Sequence, residues 1–169
     1  MDEGRFGRIS VLSPCWAPPG VRPKVARQVV RQSLYAFAAV SLPQATLTCR
    51  LSAKCNTDAM SLFILDMLAA HPDQPLVVFL DGAGWHKAKR LPRAERLHLE
   101  YLPPYCPECN PVEHIWDEIR EKGFANRYFE TLEGVEVQLK TQLELLGADT
   151  PRLRSLCLFD WIKAELLNV

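Results

Sequence analysis

The sequence predicts an α/β fold in which a mixed sheet has helices packed against it. Three observations lead to this prediction. Strand-like segments dominate the first third of the chain, a short apolar run at 76–80 is followed by strand and helix alternation, and amphipathic helical patterns fill the last third. The length of 169 residues suits one domain, 1–169, with room for a sizeable core.

The first third of the chain reads as strands joined by turns. Residues 3–15 are expected to form a strand or hairpin region, and residues 16–24, rich in Pro and Gly, a loop. The segments 27–40 and 45–51 carry β-branched and aromatic residues on both sides of Pro43-Gln44. This arrangement predicts a β-hairpin.

A helix is predicted next, over residues 57–70, with Thr57 as its cap. Pro72 and Pro75 end it, because proline cannot continue a helix interior. The apolar residues recur with helical spacing at Met60, Phe63, Ile64, Met67 and Leu68.

Two further strands are predicted downstream. Leu76–Leu80 is a continuous apolar run, which is typical of a strand buried on both faces in the middle of an α/β sheet. Residues 97–102 alternate in polarity, and Pro103 and Pro104 stop this second strand. Both strands therefore belong to the predicted sheet.

Helices complete the chain. Asn110 is a suitable cap for a helix that starts at Pro111 and runs to about Lys122. Two more amphipathic helices are expected. Their apolar residues are Leu132, Val135, Leu139, Leu143 and Leu146 for one, and Leu158, Trp161, Ile162 and Leu166 for the other.

The charge balance and the apolar pattern argue against several classes of protein. Lys+Arg and Asp+Glu balance at 20 each, which argues against tight DNA binding by this chain alone, although basic patches can be local. Residues 1–10 lack the apolar region of a secretory signal, and no apolar run reaches the roughly 20 residues that span a bilayer. We expect a cytoplasmic protein with no membrane partner, whose six cysteines are reduced thiols.

Two carboxylates lie at positions where catalytic or ligand-binding residues are often found. Asp81 follows a predicted buried strand, and functional residues gather at the carboxyl ends of such strands. Glu113 lies in the first turn of a predicted helix, where the helix dipole favours an anion. If they converge, they form a site for hard divalent cations. Taken singly, each is more often a turn residue or an ordinary helix-start acid.

The residues around these carboxylates resemble a known family. Residues 77–86 (VVFLDGAGWH) and 101–116 (YLPPYCPECNPVEHIW) resemble the second and third catalytic motifs of DDE transposases of the mariner superfamily. They look most like its bacterial IS-six-thirty insertion-sequence branch. Residues 1–20 resemble the first motif, and 125–133 fit the family's tail.

The resemblance implies a fold, a reaction and a partner. The fold is a ribonuclease-H-like mixed sheet flanked by helices, here with an incomplete first strand. Asp2, Asp81 and Glu113 would be the catalytic residues and would hold two Mg²⁺ or Mn²⁺ ions. The reaction would be metal-dependent cleavage of DNA phosphodiesters and strand transfer during DNA transposition. Transposon ends and target DNA would be the partners, and the full-length family acts as a homodimer, associated with the bacterial nucleoid when active.

Supporting roles are also expected from the resemblance. His86 would contact a DNA phosphate or orient a ligand, with a purely structural hydrogen bond as the alternative. Asn110 and Pro111 would shape the turn that presents Glu113, and Trp116 would pack in the core. Because of their location after Asp81 and His86, three basic residues would either follow DNA phosphates or form an ordinary solvated surface, namely Lys87, Lys89 and Arg90.

Some positions depart from the family pattern. Cys106 and Cys109 replace the usual Ser and Leu, and their spacing allows a zinc-binding alternative that lacks two ligands. Asp2 lies one residue from the start, and the family's N-terminal helix-turn-helix region is expected to be absent. A second hypothesis is therefore an inactive or partial transposase, or the downstream half of a frameshifted gene. Glu3, adjacent to Asp2 on a strand, should point to the opposite face and away from the site.

Overall fold

The computed structural model describes residues 1–167, with side chains described as far as residue 164. Three antiparallel strands form the first sheet: β1 (Asp2–Gly7), β2 (Ser33–Ser41) and β3 (Thr46–Ser52). In the register of this sheet Asp2 pairs with Ala38, and Ala38 pairs with Cys49 on the other side. The central strand is β2, so the predicted hairpin is confirmed as β2–β3.

A parallel pair forms the second sheet, β4 (Leu76–Leu80) with β5 (Leu97–Tyr101). The two sheets meet where β1 begins. The backbone nitrogen of Met1 donates a hydrogen bond of 2.6 Å to the carbonyl oxygen of Phe79. This contact places the first residues of β1 beside the last residues of β4.

Five α-helices accompany the sheets within residues 1–167. A π-helical turn, Arg120–Phe124, continues the second of them, and short 3₁₀ turns cover Gly84–Lys87 and Pro107–Cys109. The helices are α1 (Thr57–Ala70), α2 (Val112–Ile119), α3 (Leu132–Ala148), α4 (Thr150–Cys157) and α5 (Asp160–Leu167). None of them combines the length and the apolar character that a bilayer-spanning segment needs.

The core lies on both faces of the antiparallel sheet. Successive strand residues point to opposite faces. Ala36 and Ala38 of β2 therefore pack with Trp116 and other residues of α2, α3 and α4. Phe37 points the other way and packs with Phe63 of α1 and with β4. The observed architecture is a mixed α/β fold flanked by helices, as predicted, but the five strands of residues 1–167 form two hydrogen-bonded sheets in place of the one mixed sheet expected.

Local boundaries differ from the sequence expectation near the start of the chain. The predicted strand over 3–15 ends at Gly7, and β2 begins at Ser33 instead of residue 27. Residues 8–32 instead form an extended arm. Backbone hydrogen bonds hold its base, from Arg8 to Gln32 at 3.0 Å and from Ser10 to Gln28 at 3.0 Å.

Helix α1 matches its predicted range, but its cap does not. The carboxamide of Asn56, one residue before Thr57, accepts the N–H of Ala59 at 3.0 Å. Asparagine is a strong capping residue because its side-chain oxygen satisfies a free backbone donor.

The prediction that β4 is buried on both faces is wrong. Val78 and Leu80 are buried, whereas Val77 and Phe79 are each 56% exposed. In the described part of the chain α1 packs against one face of β4, and the other face remains open to solvent. The sequence of β4 does not show which residues are buried and which are exposed, because all of them are apolar.

The C-terminal third contains one more helix than predicted. Helix α2 starts at Val112, one residue late, and gives way to the π-helical turn after Ile119. Asp149 caps α4, since its carboxylate accepts the N–H of Arg152 at 2.9 Å. Leu158 lies between α4 and α5, and the side chain of Leu166 lies outside the described residues.

Candidate metal centre

The topology brings the three predicted carboxylates toward one region. Asp2 is the first residue of β1, and Asp81 directly follows β4. The bond between Met1 and Phe79 joins their immediate neighbours along the chain. Glu113 lies in the first turn of α2, and its negative charge raises the pKa of Asp2.

Trp116 orients the carboxylate of Asp2. Its indole N–H donates to Oδ2 of Asp2 at 2.7 Å, and the ring itself is fully buried. Gly4, two residues after Asp2 and on the same strand face, makes room for the ring. A Cβ at that position would lie 2.8 Å from Cδ2 of Trp116 and 2.7 Å from Cε2 of Phe6. Trp116 packs in the core, as expected, and also holds a carboxylate.

The environment of Asp2 disfavours its charge. Burial raises the pKa of Asp2 to about 7, the negative charge of Glu113 adds to the effect, and the hydrogen bond from Trp116 opposes it. Two partly buried carboxylates that repel each other gain from a cation placed between them. Their oxygen donors are also the type that hard divalent cations prefer. The residues present therefore fit a divalent metal ion.

One oxygen of Asp81 is fixed by its surroundings. Oδ1 accepts the backbone N–H of Ala83 at 2.9 Å and lies 2.7 Å from Nδ1 of His86. The same imidazole nitrogen lies 3.1 Å from the carbonyl oxygen of Asp81. Both side-chain contacts fall on Oδ1, and the side chain is 58% exposed. Asp81 can therefore present its other oxygen toward solvent.

His86 continues this set of contacts inward to Glu3. Its Nε2 lies 2.7 Å from Oε1 of Glu3, and the His86 side chain has no exposed surface. The indole N–H of Trp85 donates to the same oxygen of Glu3 at 3.3 Å. Glu3 does point away from Asp2, as alternation along a strand requires, but it reaches Asp81 through His86. No local sequence pattern predicts this connection.

The charge of His86 is favoured by its partners. Burial of the ring lowers its pKa, but the hydrogen bond and charge of Glu3, together with Asp81, outweigh burial and raise the pKa above its ordinary value. Because the ring is enclosed, it has no surface on which to meet a DNA phosphate. The orienting role and the purely structural hydrogen bond, the two other expectations for His86, both fit this geometry.

Asn110 fixes where Glu113 stands. Its buried carboxamide donates to the carbonyl oxygen of Met1 at 3.2 Å and accepts the N–H of Val112 at 3.3 Å. Its own carbonyl accepts the N–H of Glu113 at 3.1 Å. Pro111, with a φ of −63°, occupies the cap position of α2. Asn110 thereby ties the start of α2 to the start of β1.

The three carboxylates lie in one region, but they are not grouped as tightly as the ligands of a bound metal ion. Within residues 1–167 no three His, Cys, Asp or Glu side chains are grouped closely enough to hold a metal ion. The backbone N–H of Cys109 donates to Cys106 at 3.1 Å in a 3₁₀ turn, and no third ligand joins the two thiols there.

The predicted basic residues face solvent beside this region. Lys87, Lys89 and Arg90 are all exposed. Lys87 places Nζ 5.3 Å from the ring centroid of Tyr101, and Arg90 pairs with Asp58 at 3.0 Å. They follow Asp81 closely in the chain, so their charges lie on its side of the protein.

Comparison with known families identifies the family of this chain. The family model described as DDE superfamily endonuclease matches residues 1–136. The chain belongs to the DDE superfamily endonuclease family. The matched range includes Asp2, Asp81 and Glu113, the acids proposed from the three motifs.

One curated relative shares most of this DDE domain. An uncharacterized protein, y4pE/y4sA of Sinorhizobium fredii (strain NBRC 101917 / NGR234), is 30% identical over 108 residues. The alignment covers 63% of this chain and 80% of that protein.

Solved structures share the fold of the DDE domain. The Mos1 transposase paired-end complex with left transposon end is similar at a TM-score of 0.57 and 12% identity, over 91% of this chain and 53% of that one. The Mos1 mariner paired end complex with Mn is similar at 0.61 and 12%, over 90% and 52%. The chain thus spans about half the length of these Mos1 chains. The DDE endonuclease family and the fold class are confirmed, and the mariner superfamily and its IS-six-thirty branch stay predictions.

Proposed function

We propose that this chain is a transposase catalytic domain that cleaves DNA phosphodiesters and transfers strands with Asp2, Asp81 and Glu113 as metal ligands. The observation that carries this proposal is the contact between Met1 and Phe79, which brings Asp2 at the start of β1 beside the end of β4, where Asp81 lies. The DDE superfamily endonuclease model matches the range that contains all three acids. The raised pKa of Asp2, caused by burial and by the charge of Glu113, supports the proposal, because perturbed carboxylates are typical of functional sites.

Two Mg²⁺ or Mn²⁺ ions are the proposed cofactors. When bound, such ions activate the attacking oxygen and stabilise the leaving oxygen of an in-line displacement. The three acids supply oxygen ligands on three separate elements, β1, the end of β4 and the start of α2. The hydrogen bond between Met1 and Phe79 brings the first two of these elements together.

The protein's own residues prepare two of the ligands. Trp116 donates a hydrogen bond to Oδ2 of Asp2, so Oδ1 is the oxygen that would bind a cation. Ala83 and His86 hold Oδ1 of Asp81, so that Oδ2 is offered. Fixing one oxygen of each carboxylate reduces the conformational freedom that metal binding would otherwise have to remove.

DNA is the proposed substrate and partner. The similar Mos1 structures are complexes with transposon ends, and we infer that transposon ends and target DNA are also bound here. Lys87, Lys89 and Arg90 provide exposed positive charge next to Asp81 for phosphate contacts. We further propose that the active form is a homodimer associated with the nucleoid.

A plasmid-nicking assay tests the proposal. Purified protein with Mn²⁺ should nick supercoiled plasmid DNA, and Asp81→Asn or Glu113→Gln should reduce nicking at least 100-fold, because each removes a metal ligand. Asp117→Asn is the matched control. Asp117 is exposed one helical turn after Glu113 and pairs with Arg120 at 3.5 Å. Equal nicking by wild type and both ligand variants would refute the proposal.

The second hypothesis has its own outcome in the same assay. A folded wild-type chain that binds Mn²⁺ but does not nick DNA would indicate a partial transposase that needs further sequence. Adding upstream sequence in the same or the −1 reading frame should then restore nicking.

A further inference from the structure

We propose that Glu3 is a positioning residue, which acts through His86 to hold the carboxylate of Asp81 in the orientation that binds metal. This inference rests on the proposed function and deepens it. It assigns a role to a side chain that the family motifs and the three-acid scheme leave without one.

The contacts form a continuous line from the interior to the surface. Oε1 of Glu3 lies 2.7 Å from Nε2 of His86, and Nδ1 of His86 lies 2.7 Å from Oδ1 of Asp81. Exposure rises along this line, from 7% for Glu3 and 0% for His86 to 58% for Asp81. The outer carboxylate is therefore the accessible end of an otherwise enclosed network.

Glu3 is held in place more firmly than a surface acid would be. The indole N–H of Trp85 donates to the same oxygen that contacts His86, at 3.3 Å. The backbone of Glu3 is fixed by β1, where it pairs with Phe37 at the centre of the core. A carboxylate this enclosed is costly unless it is paired and hydrogen-bonded. His86 and Trp85 supply those partners.

The geometry distinguishes a positioning role from a structural one. A structural pair would satisfy its charges within the core. Here His86 uses its second ring nitrogen on Asp81, on both the side chain and the backbone carbonyl at 3.1 Å. Glu3 and Asp81 therefore fix the imidazole from its two sides. Without Glu3 the ring could rotate, and the half-exposed carboxylate of Asp81 would sample other rotamers.

At metal sites, contacts that orient a ligand without touching the metal have a known effect on metal affinity. Removing a partner that orients a metal ligand costs about 10- to 100-fold in metal affinity or activity. We expect Glu3→Gln to lower the Mn²⁺ affinity of the folded protein by about 10-fold. Glutamine keeps the size of the side chain but weakens the charge-assisted contact to His86.

The test uses the full chain and two readouts. Free Mn²⁺ is measured by electron paramagnetic resonance during a titration, and plasmid nicking is measured against Mn²⁺ concentration. For Glu3→Gln, the half-saturating Mn²⁺ concentration should rise about 10-fold in both, while nicking at saturating Mn²⁺ returns near the wild-type rate. Glu118→Gln is the matched control, because Glu118 is a 16% exposed acid paired with Arg152, remote from Asp81 in sequence.

The outcomes separate this inference from the proposed function. If Asp81→Asn loses Mn²⁺ binding but folded Glu3→Gln binds as tightly as wild type, the positioning role is wrong and the metal site stands. If Asp81→Asn also binds like wild type, the proposed function fails, and this inference with it. Should Glu3→Gln not fold, His86→Gln replaces it, with the same expected loss and the same contradicting result.

Discussion

The indole N–H of Trp116 meets Oδ2 of Asp2 at 2.7 Å, so one buried aromatic residue both packs α2 onto β1 and orients a carboxylate. The ring edge lies against Gly4, where a Cβ would approach Cδ2 to 2.8 Å. The hydrophobic core and the candidate metal centre therefore share a residue, and a change in one is expected to disturb the other.

Gly4→Ala should destabilise the protein by about 1–3 kcal/mol, because the added methyl group overpacks the contact with Trp116 and Phe6. It should also weaken Mn²⁺ binding, since the ring that orients Asp2 must move. Urea denaturation and a Mn²⁺ titration measure the two effects. Gly147→Ala is the control. A Cβ there meets only Leu47 at 4.0 Å, and alanine in helix α3 should gain up to about 1 kcal/mol. Equal stability of wild type and Gly4→Ala would show that the close approach is not tight in solution.

The titration of Asp2 predicts a pH dependence of stability in metal-free protein. Its pKa is about 7 in the folded state against an ordinary 3.8, so the folded state binds the proton more tightly. The free energy of unfolding should therefore fall as the pH rises from about 4 to about 7, by at most about 4 kcal/mol.

Asp2→Asn should remove this dependence while keeping an acceptor for Trp116. In EDTA the variant should be more stable than wild type by a larger margin at pH 8 than at pH 5, as measured by urea denaturation. Asp117→Asn, an exposed acid, serves as the comparison. The same stability difference between wild type and Asp2→Asn at both pH values would contradict the shifted pKa.

The cysteines should differ in reactivity according to burial. Burial raises the pKa of the Cys157 thiol to about 11, and the residue is 1% exposed, whereas Cys15 is exposed. The thiolate is the reactive form, so iodoacetamide at pH 8 should modify Cys15 well before Cys157. Peptide mass spectrometry over time measures this order, and urea should abolish it. Equal rates in the folded protein would place Cys157 at the surface.

The basic residues beside Asp81 should contribute salt-dependent DNA affinity. Replacing Lys87 and Lys89 with alanine should weaken binding to DNA of any sequence and reduce the slope of log affinity against log salt by about 0.9 per lost phosphate contact. Fluorescence anisotropy at several KCl concentrations measures the slope. Lys140→Ala is the control, because Lys140 pairs with Glu136 on α3. An unchanged slope would show that these lysines do not meet phosphates.

Local patterns predicted much of the fold. Helix α1 has the range that its apolar spacing and flanking prolines indicated, and β4 has the range of its apolar run. Helix α4 was missed because it is short and lacks a long apolar repeat. The open face of β4 was missed because burial depends on what the rest of the chain covers.

The candidate site was less predictable than the fold. Asp81 and Glu113 stand at positions that local chemistry and motif resemblance both favour. Glu3 was set aside because strand alternation turns it away from Asp2. Its contact with His86 spans 83 positions in sequence, and such a contact leaves no local pattern. The one available signal was an acid on a strand whose neighbours are enclosed, since such an acid needs a partner.

The central claim is that Asp2, Asp81 and Glu113 form one metal site, and a crystal structure grown with Mn²⁺ tests it most directly. Anomalous scattering locates manganese without reference to any assumed ligand. The account predicts an anomalous peak within ligand distance of carboxylate oxygens from Asp2, Asp81 and Glu113. Manganese bound elsewhere, with these three carboxylates left without it, would contradict the account.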